Sequence, residues 1–220
     1  MTPTFVVIPG LNRHQMTAYL IGDLQGQGAT ILLYDNGSSP TYDFAGCEVI
    51  EAAGWPLHRM WAHGIQTARE RSGGICDIAV LNNDLRVQSD LLTRLSEGLR
   101  CSEDVWISYP DVHDIGQTVA THASGQTLAG YAFMIRGESA LRVDERFHFW
   151  YGDWDLEKQA HAAGKLVVTV GDCHVRHLEP TLSTRGERLD QARRDEKEFA
   201  AKWGLDPESL FLARNPGFGR

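Results

Sequence analysis

The sequence predicts a Rossmann-type α/β sandwich, with a mostly parallel central sheet and helices on both faces. Three observations predict it. Short, continuous apolar runs recur along the chain, as in strands covered on both sides. Segments with apolar residues at helical spacing separate them. Three of the runs stop at polar loops, residues 10–13 (GLNR), 35–38 (DNGS) and 82–84 (NND). In such sheets ligands bind beyond the carboxyl ends of the strands, so these loops are expected to converge on one crevice.

The elements follow in order. Residues 5–8 (FVVI) read as a buried strand entering a loop at Pro9 and Gly10. Met16, Leu20, Ile21 and Leu24 have helical spacing and predict a helix over 14–26. Residues 29–34 form a second strand and 47–50 a weaker third. A helix is expected over 57–71, a strand over 78–81, a helix over 89–99 and a strand over 105–108. Residues 109–127 are polar and read as a loop, followed by a strand over 128–135. An aromatic–acidic cluster occupies 147–155. A helix over 154–163 ends at Gly164, which suits a C-cap. A strand over 166–170 leads to Cys173, His174 and His177. A charged helix over 186–203, with Leu189, Phe199 and Trp203 as its apolar anchors, ends at Gly204, and residues 215–220 read as frayed.

The chain has 220 residues, a length most economical as one domain, and ordinary hydrophobic (42%) and charged (23%) shares. A net charge of -8 argues against sequence-independent binding to duplex phosphate. It leaves room for a small anionic ligand, because one metal ion reverses the local sign of a site. The four cysteines, Cys47, Cys76, Cys101 and Cys173, form no CxxC pair and read as free thiols. No apolar run approaches a membrane span, and the chain reads as soluble and cytoplasmic.

Several side chains have the chemistry of a site. Asp84 at a strand end offers an anionic oxygen to a hard divalent cation, and Asn82 a carbonyl oxygen. Read as a turn, the same residues hydrogen-bond their own backbone. Asp35 has the same two readings. Asp153 and Asp155 stand two residues apart behind four aromatic residues. One of them could act as a general base, with Trp150, Tyr151 or Trp154 as an apolar platform for a sugar ring. Asp153 also reads as a helix N-cap. His177 ends a strand and could join Asp84 in a site suited to Mn²⁺ or Mg²⁺, whereas strand alternation turns His174 to the other face.

In this order the motifs resemble those of family 2 glycosyltransferases with the GT-A fold, the rhamnosyltransferase-like group in particular. Residues 5–9 (FVVIP) with Asn12-Arg13 resemble the family's opening VVIPTYNR, and residues 33–39 (LYDNGSS) resemble VVDNGSTD. Residues 80–84 (VLNND) resemble LLNPDT, the family's form of the DxD motif. Residues 144–147 (DERF) and 150–156 (WYGDWDL) resemble DExFFxYxEDxDL. Ala163-Gly164-Lys165, Val175-Arg176-His177 and Ser183 resemble the closing segment. The matches are collinear over roughly residues 4 to 184. Asn82 stands at the first position of the DxD motif in place of Asp, and Gly152 where the family has Glu.

The resemblance implies a catalytic domain over 1–184, with the helix and tail of 185–220 packed on it or extending from it. It implies an inverting transfer of a hexose or deoxyhexose from a nucleotide-sugar donor to an acceptor hydroxyl. Pro9, Asn12, Arg13, Asp35, Asn36, Asn82 and Asn83 would contact the donor. Asp84 and His177 would hold the metal, Mn²⁺ or Mg²⁺. Asp153 would be the base, with Asp155 the second choice, and Trp150, Tyr151 and Trp154 would lie on the acceptor side. The acceptor stays open among a glycan, a protein, a small molecule and a modified nucleobase. Homo-oligomerisation is also open. Two other readings keep the fold: a degenerate module that binds sugar nucleotide or glycan, and a nucleotidyltransferase.

Overall fold

A computed structural model describes residues 2–112, 116–121, 128–179, 187–206 and 210. Ser183, the end of the predicted 109–127 loop and the expected frayed tail lie wholly or partly outside them.

The first half alternates as the sequence predicts. β1 (Thr4–Gly10), α1 (His14–Leu24), β2 (Ala29–Asp35), β3 (Glu48–Glu51), α2 (Leu57–Ser72) and β4 (Asp77–Leu81) follow one another. Then come β5 (Leu85–Val87), α3 (Leu91–Arg100), β6 (Val105–Pro110), β7 (Val119–Thr121) and β8 (Ala132–Arg136). The chain continues through α4 (Gly152–Ala162), β9 (Leu166–Val170), β10 (Val175–His177) and α5 (Glu187–Trp203).

Eight strands form one sheet in the order β3-β2-β1-β4-β8-β6-β9-β7. β1 pairs in parallel with both β2 and β4, so Gly10 ends opposite Asp35 and β4 ends at the same edge of the sheet, two residues short of them. β8 lies antiparallel between β4 and β6, and β7 antiparallel to β9, which makes the sheet mixed. The reversal has a use. β8 begins where β4 ends, Ala132 opposite Leu81, so the turn before it joins the same rim as the parallel strands' loops. The edge strands β3 and β7 are short, which limits the unpaired edge exposed to other chains.

Side-chain alternation assigns each strand residue to one of two cores. Val7, Leu32, Ile78 and Phe133 pack with Met60, Trp61 and Ile65 of α2 and Leu156 of α4. Val6, Ile8, Leu33 and Met134 pack with Leu20 and Ile21 of α1 and Leu92 and Leu95 of α3. Helices therefore cover both faces. A third cluster joins Phe147 and Tyr151 to Phe199 and Ala200 of α5. Among the described residues no helix is long and apolar enough to cross a membrane, and all four cysteines are free.

Candidate active site

The loops after β1, β2 and β4 meet around a cavity of about 520 Å³. Pro9, Gly10, Leu11 and Arg13 line it from the first loop, Asn36 from the second, and Asn82, Asn83 and Asp84 from the third. His177 adds to the wall from β10. The expected convergence of the three polar loops is what the fold brings about.

Hydrogen bonds tie the loops together. Asn12 N–H donates to Ser38 Oγ at 2.8 Å, and Ser39 N–H to Asn12 Oδ1 at 3.0 Å. The Tyr42 hydroxyl donates to the Asn12 carbonyl. Asn12 and Arg13 both hold positive φ, 55° and 57°, a left-handed backbone that costs about 1–3 kcal/mol per residue and persists only when its surroundings enforce it. This pair turns the chain from β1 into α1 and aims the Arg13 side chain at the cavity.

Asp35 has a different position from the one expected. It is buried, and its carboxylate accepts from Ser38 N–H at 2.7 Å and Tyr42 N–H at 3.0 Å. Burial pushes its carboxyl up, but these hydrogen bonds more than offset that and hold it below the usual carboxylate range. Asp35 thus shapes the loop, while its neighbour Asn36 is on the cavity wall. Asn36 Nδ2 donates to the Trp55 carbonyl at 3.2 Å, and its buried Oδ1 has no hydrogen-bond partner. Asn83 is likewise a framework residue on the wall: its Nδ2 donates to Thr17 Oγ1 at 3.0 Å and Tyr42 Oη at 3.2 Å.

Asp84 is the charged centre. Arg13 Nη1 lies 2.5 Å from its Oδ2, and Arg13 Nη2 lies 2.6 Å from Glu179 Oε2. His177 Nε2 stands 3.1 Å from Asp84 Oδ1, off the line that a hydrogen bond needs, and this buried oxygen has no hydrogen-bond partner. Burial raises the Asp84 carboxyl, and the His177 ring and Arg13 guanidinium outweigh it and hold it below the usual carboxylate range. The local fold explains the meeting. β5 and β10 pair antiparallel with Leu85 opposite His177, and Leu178 N–H donates to the Asp84 carbonyl at 2.8 Å. His177 stacks on Tyr131 with ring centroids 4.9 Å apart. His174 is exposed and does not line the cavity.

Gly130, next to Tyr131, leads to Asp153. A Cβ at Gly130 would stand 2.7 Å from Asp153 Oδ2, so this carboxylate packs one residue away from the ring that covers His177. Asp153 is in the first turn of α4, whose N-cap position is Tyr151 with φ 69°. This replaces the reading of Asp153 as N-cap. It is half-buried, and its Oδ1 accepts from Trp154 N–H at 3.0 Å.

Asp155 is elsewhere. It is fully buried and bound by Lys202 Nζ (2.8 Å), Trp203 Nε1 (2.9 Å) and Gln159 Nε2 (2.6 Å), which makes it the anchor of α5. Of the three aromatics expected on the acceptor side, none lines the cavity. Tyr151 is buried with its hydroxyl donating to Glu196 at 3.0 Å, and Trp150 and Trp154 pack against the same aromatic cluster.

The wall also has residues to which the sequence reading gave no individual role. Phe149 and Leu11 are large, exposed and apolar, and Trp55, Leu57, Met60 and Gln191 complete the lining. Phe149 lies inside the aromatic segment, and its exposure separates it from Phe147 and Tyr151, which are buried. Gln191 comes from α5, beyond the span of the motifs.

Among the described residues no group of three or more His, Cys, Asp or Glu could hold a metal ion. The pair Asp84–His177 offers two ligands. A carboxylate oxygen without a hydrogen-bond partner beside an imidazole fits two of the ligand positions of a hard divalent cation. The donor set suits Mn²⁺ or Mg²⁺ on those terms.

No family model and no curated protein matches the chain. Solved structures do. The crystal structure of GalNAc-T7 with UDP, GalNAc and Mn²⁺ aligns with a TM-score of 0.68 at 13% identity, covering 98% of this chain and 51% of that one. Glucosyl-3-phosphoglycerate synthase from Mycobacterium tuberculosis, in complex with Mg²⁺ and UDP, aligns at 0.64 and 13% identity, covering 93% and 80%. S. aureus TarS 1-349 aligns at 0.60 and 11%, covering 90% and 65%. The fold is GT-A. The chain spans about half the length of the GalNAc-T7 chain and about two thirds of the TarS chain.

Proposed function

We propose that this GT-A chain is a family 2-like glycosyltransferase that moves a hexose or deoxyhexose from a nucleotide diphosphate donor to an acceptor hydroxyl, with inversion. The observation that carries the reading is the cavity beyond β1, β2 and β4, with the Asp84–His177 pair and Arg13 on one wall. Neighbours of the same fold whose structures contain UDP with Mn²⁺ or Mg²⁺ support it.

Pro9, Asn36 and Asn82 take the nucleoside side of the cavity, with the Asn36 Oδ1 acceptor awaiting a donor group on the base or ribose. Asn12, Asp35 and Asn83 act on the donor through the loops that they hold. Asp84 and His177 would hold the divalent ion, which would supply positive charge to offset the negative charge that develops on the leaving diphosphate. Arg13, now shared between Asp84 and Glu179, turns toward the diphosphate when the donor arrives and leaves Asp84 to the ion. Asp153 takes the proton of the acceptor hydroxyl. That oxygen attacks the anomeric carbon as its bond to the diphosphate breaks, from the opposite face, which inverts the centre. Phe149 and Leu11 flank the acceptor in place of Trp150, Tyr151 and Trp154, which pack in the aromatic cluster.

The test is release of nucleoside diphosphate from a panel of sugar nucleotides with Mn²⁺, with candidate acceptors present. Asp153→Asn is expected to bind donor normally and to lose about 10²–10⁴-fold in turnover, the usual contribution of general base catalysis. Full turnover in that variant would remove Asp153 from the mechanism. No release and no thermal shift with any donor would overturn the function itself. Asn82, where a DxD motif has its first Asp, favours one second reading, a module that binds the donor without cleaving it. Binding without release in every acceptor mixture is its signature.

A further inference from the structure

A second cavity, of about 480 Å³, lies on the far side of Trp55, whose ring lines both. One wall is the outer face of α2, with Arg59, His63, Gln66 and Arg69, and the other is the segment carrying Arg142, Val143 and Glu145. Three guanidinium groups face one carboxylate.

Arg136 elsewhere also donates only to backbone carbonyls, whereas here three guanidinium groups without an ion pair line one cavity. Acidic residues outnumber Lys and Arg, 29 to 21, and Arg71, Arg86, Arg94, Arg100 and Arg146 each hold a carboxylate. Among the described residues Arg59, Arg69 and Arg142 form no ion pair, although carboxylates are plentiful. Their partners are neutral. Arg69 donates from Nε to the Gly137 carbonyl (2.9 Å) and from Nη2 to the Ser139 carbonyl (3.2 Å). Arg142 donates from Nη1 to the Leu141 carbonyl at 2.8 Å. Arg59 lies over the Trp55 ring, 4.4 Å from its centroid, a contact that leaves the edge of the guanidinium able to donate. Burial, with the charge of Arg142 nearby, lowers Arg69 to about 10.

We propose that this cavity binds a phosphate group, clamped by Arg59 and Arg142 with Arg69 behind them. Guanidinium forks match phosphate oxygens in pairs, and a dianion neutralises what Glu145 alone does not. The cavity is larger than one phosphate needs. Trp55, Ile65 and Val143 give the remainder of a small phosphomonoester an apolar surface. The site is separate from the proposed donor cavity and does not depend on its reading.

Calorimetric titration of the full chain at constant ionic strength tests it, with inorganic phosphate in one arm and glucose 6-phosphate in the other. Saturable binding is expected. Arg59→Gln and Arg142→Gln should each weaken it on the order of tenfold, the loss of one charge-assisted contact. The double variant should abolish it while unfolding at the wild-type temperature, since both side chains are exposed. Arg69 is left in place because it holds two backbone carbonyls. Tighter binding of the sugar phosphate than of inorganic phosphate assigns the site to a phosphorylated small molecule. Equal binding assigns it to free phosphate. No saturable heat in either arm overturns the proposal. So does an isotherm that the double variant leaves unchanged but Arg13→Gln removes, which would place the anion in the first cavity.

Discussion

His58 is fully buried against Trp61 and Phe147, with Nδ1 2.9 Å from the Phe147 carbonyl, and burial lowers it from 6.5 to about 4. The folded chain therefore keeps this ring neutral while the unfolded chain protonates it below 6.5. Stability is complete above that value and falls as the pH drops toward 4. The loss amounts to about 2 kcal/mol between pH 7 and pH 5 and about 3 kcal/mol in full. Carboxylates held below their usual range, such as Asp23, Asp35 and Asp84, lose their contribution only at lower pH, so this window belongs to histidine. Urea unfolding at the two pH values measures it. His58→Asn should flatten the dependence, and equal wild-type stability at pH 7 and pH 5 would contradict it. Nothing in the local sequence marks His58 as buried: the backbone of Gly152, where a Cβ would stand 2.3 Å from Nε2, comes from another element. The same holds for Asp155, whose partners Lys202 and Trp203 are distant in the chain. Asp84 was legible because strand-end chemistry is local. Its junction with His177 was legible in position but not in cause, since three-residue strands such as β5 and β10 are too short to show a period.

At the scale of elements, α5 determines the far wall of the first cavity. Asp195 is buried, and its carboxylate accepts from the backbone N–H groups of His148 (3.1 Å), Phe149 (2.8 Å) and Trp150 (2.8 Å). One side chain thereby satisfies a run of donors in a segment without regular structure. Asp195→Ala would leave them without that acceptor, at a cost of about 2–5 kcal/mol, and would release His148 and Phe149 from the wall. Denaturant unfolding should register the first effect and a UDP titration the second, as weaker binding. Unchanged values for both would mean that water replaces the carboxylate. The periodicity of α5, with Phe199 and Trp203 inward, is visible in the sequence. Its role as a cap for a segment some 45 residues earlier is not, because an aspartate in a charged helix looks like any solvated one.

At the scale of the molecule, the alternation of apolar runs and helical spacing foretold the sheet's parallel half and both helical layers. Long, continuous patterns are robust to the choice of tertiary contact. The antiparallel insertion of β8 was not foretold, since a buried strand reads the same in either direction. Yet that insertion places Gly130 and Tyr131 beside His177, and with them the approach to Asp153. The part of the fold hardest to read is thus the part that brings the second half of the chain to the site.

The cap formed by Asp195 also has a consequence in time. Gln191 follows every other residue of the cavity wall in the chain, and Asp195 beside it holds the backbone of His148 and Phe149, so the pocket cannot be finished until α5 has docked onto Phe147 and Tyr151. Pairings as distant as these close late, because the entropy of the intervening loop opposes them. In refolding experiments the sheet's circular dichroism should return before the capacity to bind UDP, and the delay should lengthen in Asp195→Ala. Simultaneous recovery of the two signals would show that α5 docks with the sheet rather than after it.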